Sequence, residues 1–291
     1  MTAHCITLGA DPEFFLRDSR TGAVVPAVGL IGGTKGQPLQ IPGARPGFTM
    51  QEDNVMVEFN IPPVEDEYGF TDAIQHALAC LDAYIESKTE GKLERDVRPS
   101  RLFSHRALAH PQAMTFGCSP DFNAYNGGMA FETVNPRALE EPDGAWRFSG
   151  GHIHVGYTNY LPYSVPPFVV AHFLDLFLGT PMMKWEQLQG KRGELYGLPG
   201  RFRPTSYGLE YRSLSNMWVH DLNIAQLAAS RVAHTMAFIK ECTEDQLATL
   251  YGQIPWPSLR AALTSYSSRQ VGEVRGFISS SFRRHPIARY L

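Results

Sequence analysis

Asp11-Pro12-Glu13-Phe14-Phe15-Leu16 puts two carboxylates two positions apart inside apolar, strand-like sequence. A strand alternates its faces, so Asp11 and Glu13 share one face while Pro12 and Phe14 take the other. The same spacing returns at Glu58 and Asn60, at His152 and His154, and at Glu210 and Arg212. Their neighbours Val57 and Phe59, Ile153 and Val155, and Leu209 and Tyr211 would cover the opposite side. The four segments predict one sheet with an apolar back and a charged front. Asp11, Glu13, Glu58 and Glu210 can gather there only with counter-charge, because desolvating an unpaired carboxylate costs several kcal/mol. Divalent cations would supply it, and the chain reads as an enzyme whose sheet holds metal ions.

Composition allows this reading and removes others. With 291 residues, 43% of them hydrophobic and 19% charged, the chain can bury a sizeable core. A formal net charge of -3 provides no basic field for bulk nucleic acid. Cys5, Cys80, Cys118 and Cys242 are widely spaced without a CxxC, which predicts neither a zinc site nor a disulfide framework. Reduced thiols in a cytoplasmic protein are the expectation. The most apolar run, Phe168 to Met183, is interrupted by His172, Asp175 and Pro181, so no membrane span is expected.

Along the chain, His4 to Arg17 reads as a strand, followed by a turn at Ser19 to Gly22 and a second strand near Ala23 to Val28. Gly29 to Gly47, with six glycines and three prolines, reads as a functional loop in which Thr34 and Lys35 are ligand-contact candidates. A strand over Asn54 to Ile61 should end at Pro62 and Pro63. Thr71 should then cap a helix whose core stripe is Ile74, Leu78, Leu81 and Ile85. Strand-like pieces follow near Leu102 to Ala107 and Trp146 to Tyr157. Helices are expected from about Pro166 to Trp185 and after Asp221, the second with Ile224, Ala228, Val232, Met236 and Ile239 on one face. Between them lie the basic, turn-rich Gly200 to Gly208 and a strand near Leu209 to Asn216. One or two helices are expected from Pro257. No repeat or composition break forces a second domain, so residues 1–291 read as a single catalytic domain with a helical part from about residue 222.

The motifs resemble, in order and in kind, those of the glutamine synthetase and glutamate-cysteine ligase superfamily. Asp11-Pro12-Glu13-Phe14-Phe15-Leu16 is similar to its acidic strand, Val57-Glu58-Phe59-Asn60 to its next metal-binding glutamate strand, Gly150-Gly151-His152-Ile153-His154-Val155-Gly156 to its HxH strand, and Glu210-Tyr211-Arg212 to its Glu-x-Arg element. Gln51-Glu52-Asp53-Asn54-Val55, Gly117-Cys118-Ser119-Pro120-Asp121 and Ser149-Gly150-Gly151-His152 resemble most closely the bacteriophage-type COOH-NH2 ligases, or amidoligases. The resemblance runs from residue 8 to about residue 218. It implies an α+β fold like the glutamine synthetase catalytic domain, a curved, mostly antiparallel sheet open on one face with helices on the other. It also implies ATP, two Mg2+ or Mn2+ ions and amide formation. By position, Glu13 and Glu58 would hold one ion, Asp11, His152 and Glu210 the second, and His154 and Arg212 would face nucleotide phosphates. The family often has a further glutamate where this chain has Met50, which leaves Glu52 or Gln51 to complete that shell.

The chemistry stands without the resemblance. Joining a carboxylate to an amine requires a leaving group on the acyl carbon, most simply a phosphate, and phosphoryl transfer is mainly a problem of charge and position. Arg212 is the first candidate to offset the phosphate charge, and Arg201 and Arg203 can supply the rest with bidentate geometry. Oxygen-rich ligation favours Mg2+ or Mn2+ over Zn2+. Glu52, Asp53 and Asp121 are candidate bases for the incoming ammonium. The substrates would be a small-molecule or peptide carboxylate and an amine; a homo-oligomer is left open. Three rivals remain: a metal hydrolase or cupin built on His152 and His154, a phosphagen-type kinase on the same sheet, and an inactive metal- or nucleotide-binding relative. A cupin would show a glutamate soon after HxH, and Val155 to Asn159 contains none.

Overall fold

In the computed structural model, which describes residues 5–114, 121–131 and 139–291, the strand expected over His4 to Arg17 is two strands, β1 (Thr7–Ala10) and β2 (Glu13–Asp18). Asp11-Pro12 separates them. Both lie antiparallel to one long strand, β6 (Met56–Val64). The start of β6 pairs with β2, Glu13 opposite Glu58, and its end pairs with β1, Ala10 opposite Ile61. The two pairings keep one register, joined by the Phe59 N–H bonded to the Pro12 carbonyl, and the register shifts only within β1, between Leu8 and Ala10. On the far side of β6 lies β5 (Thr49–Asp53), with Gln51 opposite Glu58. β6 runs through Pro62 and Pro63, where it was expected to stop. β5 reaches only Asn60, so beyond that point this flank asks for no N–H donor. Short strands β3 (Val24–Val25) and β4 (Leu39–Gln40) pair with β2 and β5, and β7 (Leu93–Asp96) pairs with β2.

The sheet continues past β1 through β13 (Ile153–Gly156), β15 (Gly208–Tyr211), β14 (Arg201–Thr205), β9 (Asp121–Asn123) and β10 (Met129–Phe131), every pair antiparallel. β14 corrects the turn expected over Gly200 to Gly208. The strand expected over Trp146 to Tyr157 is also two, and they belong to different sheets. β8 (Ser100–Ser104), β11 (Glu140–Glu141) and β12 (Gly144–Phe148) form a separate three-stranded sheet. Between β12 and β13 the chain turns at glycines, and a Cβ on Gly151 would collide with the Ser215 carbonyl. The small sheet shares a second core of Phe15, Val55, Met56, Phe103, Leu108, Ala113 and Ala145. Phe15 alternates onto the face of Glu13, so part of that face is covered.

The apolar back packs on helices. In α1 (Glu67–Thr89), Asp66 is the cap in place of Thr71, whose hydroxyl instead donates to the Glu67 carbonyl one turn back. Its stripe Ile74, Leu78, Leu81 and Ile85 is buried as expected. The helix expected from Pro166 is α2 (Pro167–Leu174), a π-helical turn (Asp175–Gly179) and α3 (Thr180–Glu186) in direct succession. After α4 (Arg192–Leu195), α5 (Leu222–Glu241) buries its predicted stripe and is capped by Asp221. α6 (Glu244–Gln253), which the sequence reading did not anticipate, precedes α7 (Trp256–Thr264) and α8 (Ser268–Ser281). The fold is α+β: a large antiparallel sheet with helices packed on it. No helix among the described residues is long and apolar enough to cross a membrane.

Candidate metal and phosphate site

Two groups of donor atoms converge on the front of the sheet. In the first, Glu13 from β2, Glu58 from β6 and Asp53 from the end of β5 bring carboxylate oxygens within 4.8 Å of one another. Register explains it, because Glu13 and Gln51 flank Glu58 and alternation places Asp53 on the face of Gln51. Asp53 is held at the tip of a two-residue turn whose Asn54 adopts φ 55°, a left-handed conformation that asparagine tolerates. Asn54 is pinned there, its amide donating to the Ala113 carbonyl and its oxygen accepting from Arg147 Nε. Burial, with repulsion from Asp53 and Asp11, pushes Glu13 up to about 8 despite a bond from the Gly150 N–H. Burial and the surrounding carboxylates raise Glu58 well above its ordinary value, and burial is the first cause of the rise at Asp53. Crowded, desolvated carboxylates of this kind are what a bound cation relieves.

The second group is Asp11, His154 and Glu210, again within 4.8 Å. His152 stands beside them, its Nδ1 3.5 Å from Asp11 Oδ1 and 3.3 Å from Glu210 Oε1. His154 projects from β13 and His152 from the residue just before it, and His154 lies opposite Glu210 in register. His154 Nε2 is 3.1 Å from Asp11 Oδ1, yet neither atom makes an aligned hydrogen bond among the described residues. Two ligands about 2.1 Å from one Mg2+ at right angles are themselves about 3 Å apart, so the pair suits a shared cation better than it suits a donor and an acceptor. His154 Nδ1 meets the Tyr207 hydroxyl at 2.8 Å, and His152 Nε2 meets the Tyr196 hydroxyl at 3.4 Å, contacts that orient the rings. Burial pulls His154 down, but Asp11 outweighs it and leaves the imidazole raised; His152 is lowered by burial and then by Arg212. Burial raises Asp11, and the two imidazoles more than reverse it.

Arginines border this second group. Arg212 bonds Glu210 Oε1, lies 3.4 Å from Asp121 Oδ1 and donates to the Tyr196 hydroxyl at 3.1 Å. Arg203, directly opposite Glu210, donates to its Oε2 at 3.1 Å, and Arg201 approaches Asp121 Oδ2 at 3.7 Å. Asp121 therefore lies among guanidinium groups, and burial outweighs them to raise its affinity for a proton. Lys35 is exposed and acts on Asp53, lowering its affinity for a proton. A groove of about 270 Å3 opens beside His154, lined by Thr7, Gly9, Ile61, Pro63, Gly156 and Tyr207.

Of the residues singled out from sequence, Asp11, His152, His154 and Glu210 meet at one point and Glu13 and Glu58 at another, with Arg201, Arg203 and Arg212 beside the first. Glu52 is elsewhere. It accepts the Gly29, Ile31 and Gly32 N–H groups and ties the glycine-rich loop to β5. Gln51 hydrogen-bonds Glu58. Asp53, weighed only as a base, is the third carboxylate of its group, and alternation from Gln51 would have found it had the strand been begun earlier. Tyr196 and Tyr207 had no periodic signal. Cys118, Ser119 and Pro120 lie outside the described residues.

Residues 131–254 match the family model for the phage phiEco32-like COOH.NH2 ligase-type 2, the bacteriophage-type amidoligase family that the motifs resemble. The matched span holds His152, His154, Arg201, Arg203, Glu210 and Arg212, while Asp11, Glu13, Asp53 and Glu58 precede it. No curated protein sequence matches the chain significantly.

Proposed function

We propose that the protein is an ATP-dependent carboxylate-amine ligase that forms an amide through an acyl phosphate, residues 1–291 acting as one catalytic unit on a curved sheet like that of glutamine synthetase. The observation that carries this reading is the meeting of two carboxylate-rich donor groups with three arginines on one sheet face. The family match over residues 131–254 supports it. Glu13, Asp53 and Glu58 would hold one Mg2+ or Mn2+, and Asp11 and Glu210 with His152 or His154 the other, an oxygen-rich set suited to hard cations. Bound there, the ions would screen the phosphate charge of ATP.

The chain's own residues do the rest. Arg203 and Arg212, now on Glu210, are placed to exchange a carboxylate oxygen for a phosphate oxygen as charge moves onto the transferring group. Arg201 extends that surface, and Asp121 holds it against Arg212. His154 faces the phosphates across the second donor group. The groove beside it, where Gly9 and Gly156 carry no side chain, is wide enough for a nucleoside ring. Lys35, on the loop tied down by Glu52, reaches the first donor group from the opposite side and suits a substrate carboxylate or a phosphate. The test is purified protein with ATP, Mg2+ and pools of acids and amines, read by phosphate release and by mass spectrometry of amide products. Phosphate released with an amide product supports the ligase. A phosphorylated guanidine in place of an amide would favour the kinase reading, and no ATP turnover with any pool would reject both.

A further inference from the structure

Directly behind the arginines, one buried carboxylate sits where a helix changes its winding. Asp175 opens the π-helical turn between α2 and α3, where the Thr180 N–H bonds the Asp175 carbonyl five residues back. Such turns are uncommon and often mark functional sites, because the extra residue re-aims a side chain. Asp175 is fully buried, and its Oδ1 accepts a 2.6 Å hydrogen bond from the hydroxyl of Tyr211. Tyr211 is the back-face residue between Glu210 and Arg212. The Gly200 N–H, at the residue before Arg201, and the hydroxyl of Tyr125, two residues beyond Asn123 of β9, also lie against this carboxylate and help to hold its charge. Gly179, at the end of the same turn, permits the approach, since a Cβ there would stand 3.3 Å from the Tyr211 hydroxyl. α2 packs on β14 and β15.

We propose that Asp175 is a positioning residue that fixes β14 and β15 from behind, so that Arg201, Arg203, Glu210 and Arg212 meet the donor atoms of Asp11 and His154 in front. This rests on reading that front as a cation and phosphate site. A strand transmits such a hold well, because Tyr211 shares its backbone with both functional neighbours and a shift of its ring moves them together. Losing the partner of a buried Tyr hydroxyl also leaves that group unpaired in the core, which favours movement of the strand.

Two measurements on the full chain decide it. Hydrogen exchange read by mass spectrometry should show Asp175→Ala loosening residues 200–212 while α1 and β6 exchange as in wild type. Titration with Mn2+ alone should show its affinity reduced about tenfold at one of the two sites, the range seen when an orienting partner of a metal ligand is lost. Asp175→Asn, which keeps an oxygen for the Tyr211 hydroxyl, should restore both, and Tyr211→Phe should reproduce Asp175→Ala. Unchanged exchange in Asp175→Ala, wild-type Mn2+ affinity despite faster exchange, or equal damage from Asn and Ala would each overturn the proposal. If wild type takes up no Mn2+, the cation-site reading fails, and the exchange data alone decide whether Asp175 holds the strand pair.

Discussion

Replacing Glu13 by glutamine should stabilise the metal-free protein and abolish its response to metal. Glu13 is buried against Asp53 and Glu58, and its pKa is pushed from 4.5 to about 8. A folded-state value above the unfolded one means that the folded protein binds the proton more tightly. The stability tied to that proton is therefore complete below pH 4.5 and lost as pH climbs through about 8. A rise of 8 − 4.5 = 3.5 units corresponds to about 5 kcal/mol at about 1.4 kcal/mol per unit. Repulsion shared with Asp53 and Asp11 spreads that cost over several residues, so on the order of 2–5 kcal/mol is expected for Glu13→Gln at pH 8. For a chain of this size that is roughly 3–8 °C in Tm. Glutamine keeps an oxygen for the Gly150 N–H, so little is lost in exchange. Thermal unfolding in EDTA should show the gain near zero at pH 4 and largest near pH 8. With Mn2+ at a hundred times its Kd, wild type should recover about 2.7 kcal/mol and the variant almost none. A variant no more stable than wild type at pH 8 in EDTA, or equally stabilised by Mn2+, would refute the idea that this carboxylate belongs to a cation site.

The other expectations concern the frame around the site. Asp175→Asn should gain stability over wild type as pH rises, because burial lifts Asp175 from 3.8 to about 6 and its ionisation costs up to about 3 kcal/mol above that pH; a difference in Tm that does not change between pH 4 and 8 would contradict this. Arg192→Leu should cost about 3–5 kcal/mol in urea unfolding, since Arg192 is fully buried, bonds Gln189 and the Leu214 carbonyl, and is the counter-charge of buried Glu186; a loss below 1 kcal/mol would show that Glu186 does not depend on it. Gly151→Ala should unfold the junction between β12 and β13 or lower Tm by several degrees, because the new Cβ collides with the Ser215 carbonyl and the Trp218 indole nitrogen.

What could be read in the sequence was whatever obeyed a short period inside one strand. Glu210 and Arg212, or His152 and His154, announce a shared face because nothing interrupts them, and the stripe of α1 survives even though its cap is Asp66 and not Thr71. Arg201 and Arg203 alternate in the same way, but Gly200, Pro204 and Gly208 gave the segment the composition of a turn. The pairing of β14 with β15 is a tertiary fact that overrides it. Asp53 was hidden by a turn. Asn54-Val55 lacks the Asn-Gly signature of a two-residue hairpin, and its left-handed Asn54 is kept by Arg147 and Ala113, residues far away in the chain.

The spacing of Asp11 and Glu13 has the largest consequence. Residues two apart in a strand lie about 7 Å from one another on one face, so the two carboxylates can serve different cations. Pro12 has no N–H to donate, but its carbonyl accepts the Phe59 N–H, and the register against β6 is the same for Ala10 opposite Ile61 and Glu13 opposite Glu58. Asp11 lies beside His154, which faces Glu210 across the sheet, while Glu13 lies between Glu58 and the Gly150 N–H. A single acidic motif is thus divided between two donor groups. Arg203 and Arg212 both reach Glu210 in the group that contains Asp11, and Arg212 also acts on Glu13 and Asp53. Under the proposed ligase reading, the Asp11 side, where Arg203 and Arg212 bond Glu210, would take the phosphates, and the side of Glu13, Asp53 and Glu58, on which Lys35 acts, would take the acyl substrate.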